Sequence, residues 1–403
     1  MHTAAETEPA IDLLAGSFYG AEPHATYAWL REHDPVHFDA ANGVWGIARH
    51  ADVKAVSKDT ARFSNAAGAR PDSGALPMMI DMDAPDHVRR RRLVSAGFTP
   101  RRVRALEDTV TAVCDEIIDR VCTSGGCDFV ADIAAPLPMI VIGNLLGVEA
   151  GDRADLLGWS DDLLRGLGTE DPALVEAMLR AFDAYSTYVR PVIQDRRRTG
   201  DESDLIGLLT HAEVDGDRLD DDSILYEALL ILIGGDETTR HVLTGGMEQL
   251  LAHPDQSALL RRDPALLPVA VEEMLRWVTP IKNMARTVTA DTEFAGKHLE
   301  EGQQLLLLYP SANRDEAVFA EPERFDTARQ PNDHLAFGFG AHFCLGNQLA
   351  RLELRVMFER LLARLPDMAR AGDGTLERRK ANFVSGIESM PVVFTPSAPA
   401  GQQ

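Results

Sequence analysis

The residues best placed to do chemistry lie in one stretch, Phe337-Gly-Phe-Gly-Ala-His-Phe-Cys344-Leu-Gly346, which runs straight into a helical pattern over 347–365. Gly338, Gly340 and Gly346 allow tight turns and the close approach of a flat ligand. Cys344 stands at the mouth of the following helix. There the free amides and the macrodipole favour a thiolate, and a lowered thiol pKa is the expectation. Such a thiolate suits a nucleophile or a metal ligand. An isolated cysteine would read as a buried thiol in a glycine-rich turn, but this ten-residue constellation is too structured for that. A second group interrupts an apolar run: ALLILI is followed by Gly234, Gly235, Asp236, Glu237, Thr238 and Thr239. Two glycines and an acid–alcohol pair destabilise a buried helix, so they need a purpose beyond a loose helix crossing. A hydroxyl can donate and accept hydrogen bonds, and a partly buried carboxylate can cycle protons. His87 and Arg91 share a helical face at i,i+4. Glu273 and Arg276, at i,i+3, read first as a local ion pair.

Helical spacing of apolar residues predicts helices over 106–121, 174–196, 222–252 and 346–365, with Pro191 kinking or splitting the second. The Asn-Gly turn within 36–53 predicts a hairpin. Further strands are expected over 287–294, 304–309 and 391–395. The expected fold is therefore mainly α, with small peripheral β-sheets. No repeat or composition break divides the chain, so 1–403 is expected to form one domain, with 1–10 and 396–403 as frayed tails.

Composition narrows the function. Asp+Glu number 63 against 40 Lys+Arg, a formal charge of -23, which is the wrong sign for nucleic-acid binding. No apolar run reaches the ~18 residues of a spanning helix, and the acidic N-terminus has no signal-peptide pattern. A cytoplasmic location is expected. Four cysteines are too few for a disulfide scaffold. Cys114, Cys122 and Cys127 lack further ligands nearby and read as reduced thiols.

The loop at 337–346 resembles the haem-binding loop of cytochromes P-450, and the resemblance extends over nearly the whole chain. It implies the cytochrome P-450 fold in a single domain and haem b as cofactor. Cys344 would be the axial thiolate on iron, pushing electron density toward O–O cleavage. Phe337, Gly338 and Gly346 would shape the cradle, with Gly234 and Gly235 over the haem. His87, Arg91, Arg286 and His334 would contact the propionates. Glu237 and Thr238 would be the acid and alcohol of the proton relay, Asp236 and Thr239 being left as surface or packing residues. Glu273 and Arg276 match the family's E-x-x-R, with Arg324 as the third, structural member. Arg89, Arg90 and Arg92 stand out in so acidic a chain and would form a docking patch for ferredoxin; the alternative is a solvated helix face. Ferredoxin and an NAD(P)H-dependent ferredoxin reductase are the implied partners, with O2 as co-substrate and the enzyme a monomer.

The substrate segments of the resemblance supply Met78, Met79, Ile80, Ile233, Ile281, Phe383 and Val384, a set suited to a large apolar ligand. ALPMMIDMDAP, LLILIGGDETTRH, EEMLRW, HLAFGFGAHFCLGNQLARLEL and NFVSGIESMPVVFTP look closely like mycobacterial cytochromes P-450 that oxidise the cholesterol side chain. This implies a haem-thiolate monooxygenase hydroxylating the terminal methyl (C26/C27) of cholesterol or cholest-4-en-3-one, with oxidation onward to the acid open. The alternatives are another large apolar substrate (fatty acid, terpene or macrolide), a peroxide-driven enzyme, or a haem sensor or carrier. A peroxide-driven enzyme would tolerate loss of the acid–alcohol pair, and a sensor would not need one.

Overall fold

The computed structural model describes residues 11–71, 73–166 and 171–400. The architecture is mainly helical. Eight helices matter for the site: α1 Asp86–Ser95, α2 Glu107–Val121, α3 Pro136–Leu146, α4 Arg153–Gly166, α5 Pro172–Thr199, α6 Asp221–Ala252, α7 Leu267–Val278 and α8 Asn347–Arg364. The 32-residue α6 runs through the middle and packs against α3, α5, α7 and α8. Its length follows from apolar residues around most of its circumference, which leaves it stable only when surrounded. Asp220 caps it by accepting the Ser223 amide at 2.7 Å. Pro191 does not split α5, which runs unbroken for 28 residues. Buried Tyr185, Val189 and Ile193 hold the helix across the proline, and the Tyr185 hydroxyl donates to Leu225 O of α6 at 3.0 Å.

A five-stranded sheet flanks the helices. Its strands are β1 Val36–Asp39, β2 Val44–Ile47, β3 Phe63–Ser64, β4 Asn283–Val288 and β5 Gln304–Leu308, in the order β1-β2-β5-β4-β3. The hairpin has the expected place, with Val36 opposite Ile47. β5 pairs parallel with β2 and antiparallel with β4. The strand expected over 287–294 instead begins at Asn283, breaks after Val288 and resumes as a separate short strand, Thr292–Phe294. Residues 391–393 join a small second sheet. The expected fraying from Pro396 is not seen over 396–400: the Ser397 amide donates to Cys122 O at 2.8 Å and the Ala400 amide to Asp119 at 2.9 Å. Residues 1–10 and 401–403 lie outside the described residues.

The E-x-x-R trio closes differently from the expectation. Arg276 donates to both Glu273 oxygens, at 2.7 and 2.8 Å, and both side chains are fully buried. The third cation is Arg329, whose Nε lies 3.1 Å from each Glu273 oxygen. The Arg324 side chain points to the surface and pairs with Glu321; only its carbonyl joins the network, accepting from Arg276 and Arg329. An exposed guanidinium gains little from a surface pair, whereas one that neutralises a buried carboxylate is held tightly. Arg329→Ala should therefore destabilise the fold by about 3 kcal/mol. Arg324→Ala should stay within about 0.5 kcal/mol of the parent. Denaturant titration checks both, and equal losses would undo the assignment.

Candidate active site

α6, α1, α7, β4 and the loop before α8 enclose a cavity with about 1420 Å³ of empty volume, counting its open mouth. One face of α6 lines it: Leu230, Ile231, Gly234, Gly235, Thr238 and Thr239, at helical spacing. A Cβ on Gly234 would meet nothing within 4 Å, whereas one on Gly235 would sit 2.7 Å from Ile142 of α3. Gly234 therefore leaves the cavity open, and Gly235 lets α3 pack close.

Phe337, Gly338, Cys344 and Gly346 line the opposite wall. Gly338 and Gly340 have φ of 69° and 77°, which only glycine adopts without strain, and a Cβ on Gly340 would strike Ser57 O. Gly346, at φ -80°, needs no such freedom. Cys344 is held by its amide, which donates to Phe337 O at 2.9 Å. The expected lowering of its pKa is not met by the polypeptide alone. Burial pushes the thiol up, against the amides of Gly346 and Asn347 and the charges of Arg91 and Arg351.

Near this wall the polar groups lack counter-ions. Arg286 is 3% exposed, and among the described residues its guanidinium donates to Ala285 O at 2.7 Å and pairs with no carboxylate. Buried His87 has no partner for Nε2. Its ring lies against His342, with centroids 4.0 Å apart. Burial lowers the pKa of His87 and brings that of His342 down to about 2. Arg91 donates to Phe343 O. An unpaired buried guanidinium is expensive, and a flat group carrying two carboxylates would satisfy it together with these histidines. Haem b fits the cradle. His334 does not line the cavity: its Nε2 lies 3.1 Å from Glu272 and its Nδ1 accepts the Ala336 amide. His342, which carried no sequence signal, lines the cavity beside His87.

Thr238 faces the cavity and donates to Gly234 O, one turn back, at 2.8 Å. Glu237 points away from it into a buried charge cluster. Its Oε2 lies 2.5 Å from Arg240, 2.8 Å from Arg379 and 3.3 Å from His241. Burial would raise the Glu237 pKa, but hydrogen bonds from His241 and Asp161 and the charge of Arg240 pull it below the usual range. Asp161 of α4 is pushed up to about 6, by burial first and then by its hydrogen bond to Glu237. Asp161 and Arg379 carried no sequence signal, because neither lies near Glu237 along the chain. Of the two places the sequence left open for Asp236, surface or packing, it takes the second. It is fully buried, and both its oxygens lack partners. Thr239 is likewise buried and lines the cavity. Glu353 of α8 reaches the cavity wall with one unpartnered oxygen, another residue the sequence reading missed.

Of the substrate residues expected from sequence, Met79, Ile80 and Ile281 line the cavity; Met78, Ile233, Phe383 and Val384 do not. Ile233 lies off the lining face of α6. Met78 is fully buried, with its sulfur 3.7 Å from Arg70. Phe383 and Val384 brace the segment that carries Ile281: Phe383 O accepts the Lys282 amide, and Val384 bridges Ile281. The arginine run of α1 is already engaged: Arg89 pairs with Asp217, Arg92 with Asp215 and Arg90 with Glu227.

A cavity between a glycine-bearing helix and a cysteine loop at a helix mouth, inside this helical frame, defines a haem-thiolate protein. The chain belongs to the cytochrome P450 family: that family model matches residues 171–366. It is 55% identical to the steroid C26-monooxygenase of Mycobacterium tuberculosis, over 98% of this chain and 99% of the relative. It is 38% identical to the vitamin D(3) 25-hydroxylase of Pseudonocardia autotrophica, over 96% of each. Among solved structures, the Bacillus subtilis bacillaene polyketide synthase cytochrome P450 PksS superposes with a TM-score of 0.88 at 31% identity, covering 96% of this chain and 100% of that one. CYP109E1 of Bacillus megaterium, in complex with corticosterone, gives 0.85 at 31%, covering 93% and 98%. The family's cofactor is haem b with an axial cysteine thiolate. Among the described residues, no helix is long and apolar enough to cross a membrane.

Burial, and after it the charge of Glu237, pushes Asp236 up to about 8. Between pH 4 and pH 8 the native carboxyl thus keeps a proton that the unfolded chain has lost, and stability falls as pH rises through that window. Asp236→Asn removes the titrating group. Its stability relative to the parent should improve by at least about 1 kcal/mol between pH 5 and pH 8. A difference that stays constant with pH in thermal denaturation would contradict the buried acid.

Proposed function

We propose that this protein is a steroid side-chain monooxygenase, which uses O2 and ferredoxin-delivered electrons to hydroxylate the terminal methyl of a sterol such as cholest-4-en-3-one. The observation that carries this reading is the pairing of the Cys344 loop with the Gly234–Thr238 face across a large, mostly apolar cavity. The 55% identity to a steroid C26-monooxygenase over nearly the full length supports the substrate class.

In this reading Cys344 ligates the haem iron. Arg286, His87, His342 and Arg91 take the propionates, so that bound carboxylates neutralise a cation that otherwise has no counter-ion. The haem, once bound, supplies the oxidising chemistry. The polypeptide's part is to place the substrate and ration protons. Met79, Ile80, Leu230 and Ile281 give the sterol an apolar wall and exclude water. Thr238 holds a hydroxyl proton on Gly234 O and can turn it into the cavity. Asp161, pushed up to about 6, is the group that can exchange a proton near neutral pH, and Arg240, Arg379 and His241 keep Glu237 ionised beside it. Asp161 is 29% exposed at its side chain and gives the route a solvent end.

Electrons come from an acidic ferredoxin and its reductase. With Arg89 and Arg92 engaged by aspartates, the cations offered to such a partner are the exposed Arg101, Arg102 and Arg104, for which no ion pair is seen among the described residues. Salt should slow the electron transfer they steer.

Product analysis with cholest-4-en-3-one, ferredoxin, reductase and NADPH tests the proposal. Terminally hydroxylated product supports it, and failure to bind or oxidise any sterol rejects it. In the same assay Thr238→Ala should keep consuming NADPH while product falls about tenfold or more, the scale of a lost general acid–base contribution. Thr239→Ala should be much milder. The reverse ranking would move the relay to the neighbouring residue.

A further inference from the structure

Glu227 is fully buried on α6, one turn before Leu230 and Ile231 of the cavity wall. It is not part of the relay at Glu237, and it does not itself line the cavity. Its Oε1 accepts the backbone amide of Met79 at 2.8 Å, and Arg90 of α1 approaches the same oxygen at 3.4 Å. Met79 and Ile80 are the cavity-lining part of the loop that precedes α1. That loop is closed on itself by a second buried carboxylate. Asp81 accepts the amides of Ala69 at 2.8 Å and Leu76 at 3.0 Å, and pairs with Arg70 at 3.2 Å. Asn65, also in the wall, donates to Ile80 O at 3.0 Å. The loop is therefore a preassembled unit. Among the described residues, the hydrogen bond that fastens it to α6 is the one from Met79 N–H to Glu227.

We propose that Glu227 is a positioning residue for the substrate: its carboxyl oxygen clamps the Met79–Ile80 backbone against α6 and so sets the width of the apolar wall. A buried amide has few alternatives. If the clamp is lost, the Met79 N–H is either left unpaired or the loop moves until water reaches it, and both disturb the wall. Burial pushes the Glu227 carboxyl up to about 7, against the charge of Arg90 and the Met79 amide. The clamp accordingly depends on an oxygen in that position rather than on a fixed charge, and a glutamine can replace it. This inference rests on the cavity being the substrate pocket, and it adds a determinant of affinity outside the cavity lining.

The test has two arms, both on the haem-loaded full chain. In the first, cholest-4-en-3-one is titrated and the substrate-induced spectral shift is followed. Glu227→Ala should weaken binding about tenfold and Glu227→Gln by no more than about twofold. In the second, amide hydrogen exchange is read at Met79. It should be protected in the parent and in Glu227→Gln, and at least tenfold faster in Glu227→Ala, with amides of the central turns of α6 unchanged. Unchanged affinity and unchanged Met79 exchange in Glu227→Ala would overturn the inference. So would unprotected Met79 in the parent, a measurement that needs no variant. A parent that binds no sterol rejects the proposed substrate, while the exchange arm still decides the clamp.

Discussion

A buried cation without a counter-ion governs this structure. Arg286 sits inside the fold on a strand that cannot shift without breaking the five-stranded sheet, and no carboxylate of the described residues pairs with it. Its neighbours in the cavity wall, His87 and His342, are held neutral by burial. Such an arrangement is costly in the empty polypeptide. It becomes favourable when an anionic planar group enters, so the same feature that destabilises the bare cavity selects what fills it. The cysteine wall follows a parallel logic, since burial pushes the Cys344 thiol up and a bound metal would favour its thiolate.

Two buried charge networks in the same molecule show how closure separates structure from function. Around Glu273 both oxygens accept from Arg276 and Arg329, one also from the Asp326 amide and the other from Asn332, and the cations also meet several carbonyls. Every oxygen there is paired, which suits a structural part. Around Glu237 one oxygen takes three cationic or ring partners, while the other has no conventional donor and faces the acid of Asp161. That loose end is what a proton route requires. The same residue types thus serve as a lock in one place and a gate in the other.

The sequence revealed most where chemistry and local geometry coincide. Cys344 with its flanking glycines, the α6 interruption at Gly234–Thr238 and the i,i+4 pair His87–Arg91 all reach the cavity wall, apart from Gly340, Asp236 and Glu237, because helix periodicity and glycine conformations are local properties. It misled where two similar residues competed along one loop. Arg324 and Arg329 differ by five positions, yet only the second enters the core. His334 and His342 flank the same turn, and Glu272 claims the first. Long-range partners were not legible at all: Arg379 lies 142 positions from Glu237. The arginine run of α1 read as free charge because Asp215 and Asp217 meet it only in the folded chain.

The central claim is that Cys344 supplies the axial sulfur of a haem-thiolate centre. The most direct measurement is the absorption spectrum of the reduced, CO-treated protein for the parent and for single changes at each cysteine. The account predicts the strongly red-shifted Soret band of a thiolate-ligated haem in the parent and in Cys114→Ala, Cys122→Ala and Cys127→Ala. It predicts loss of that band in Cys344→Ala. A parent without the band, or a Cys344→Ala protein that keeps it, would contradict the account.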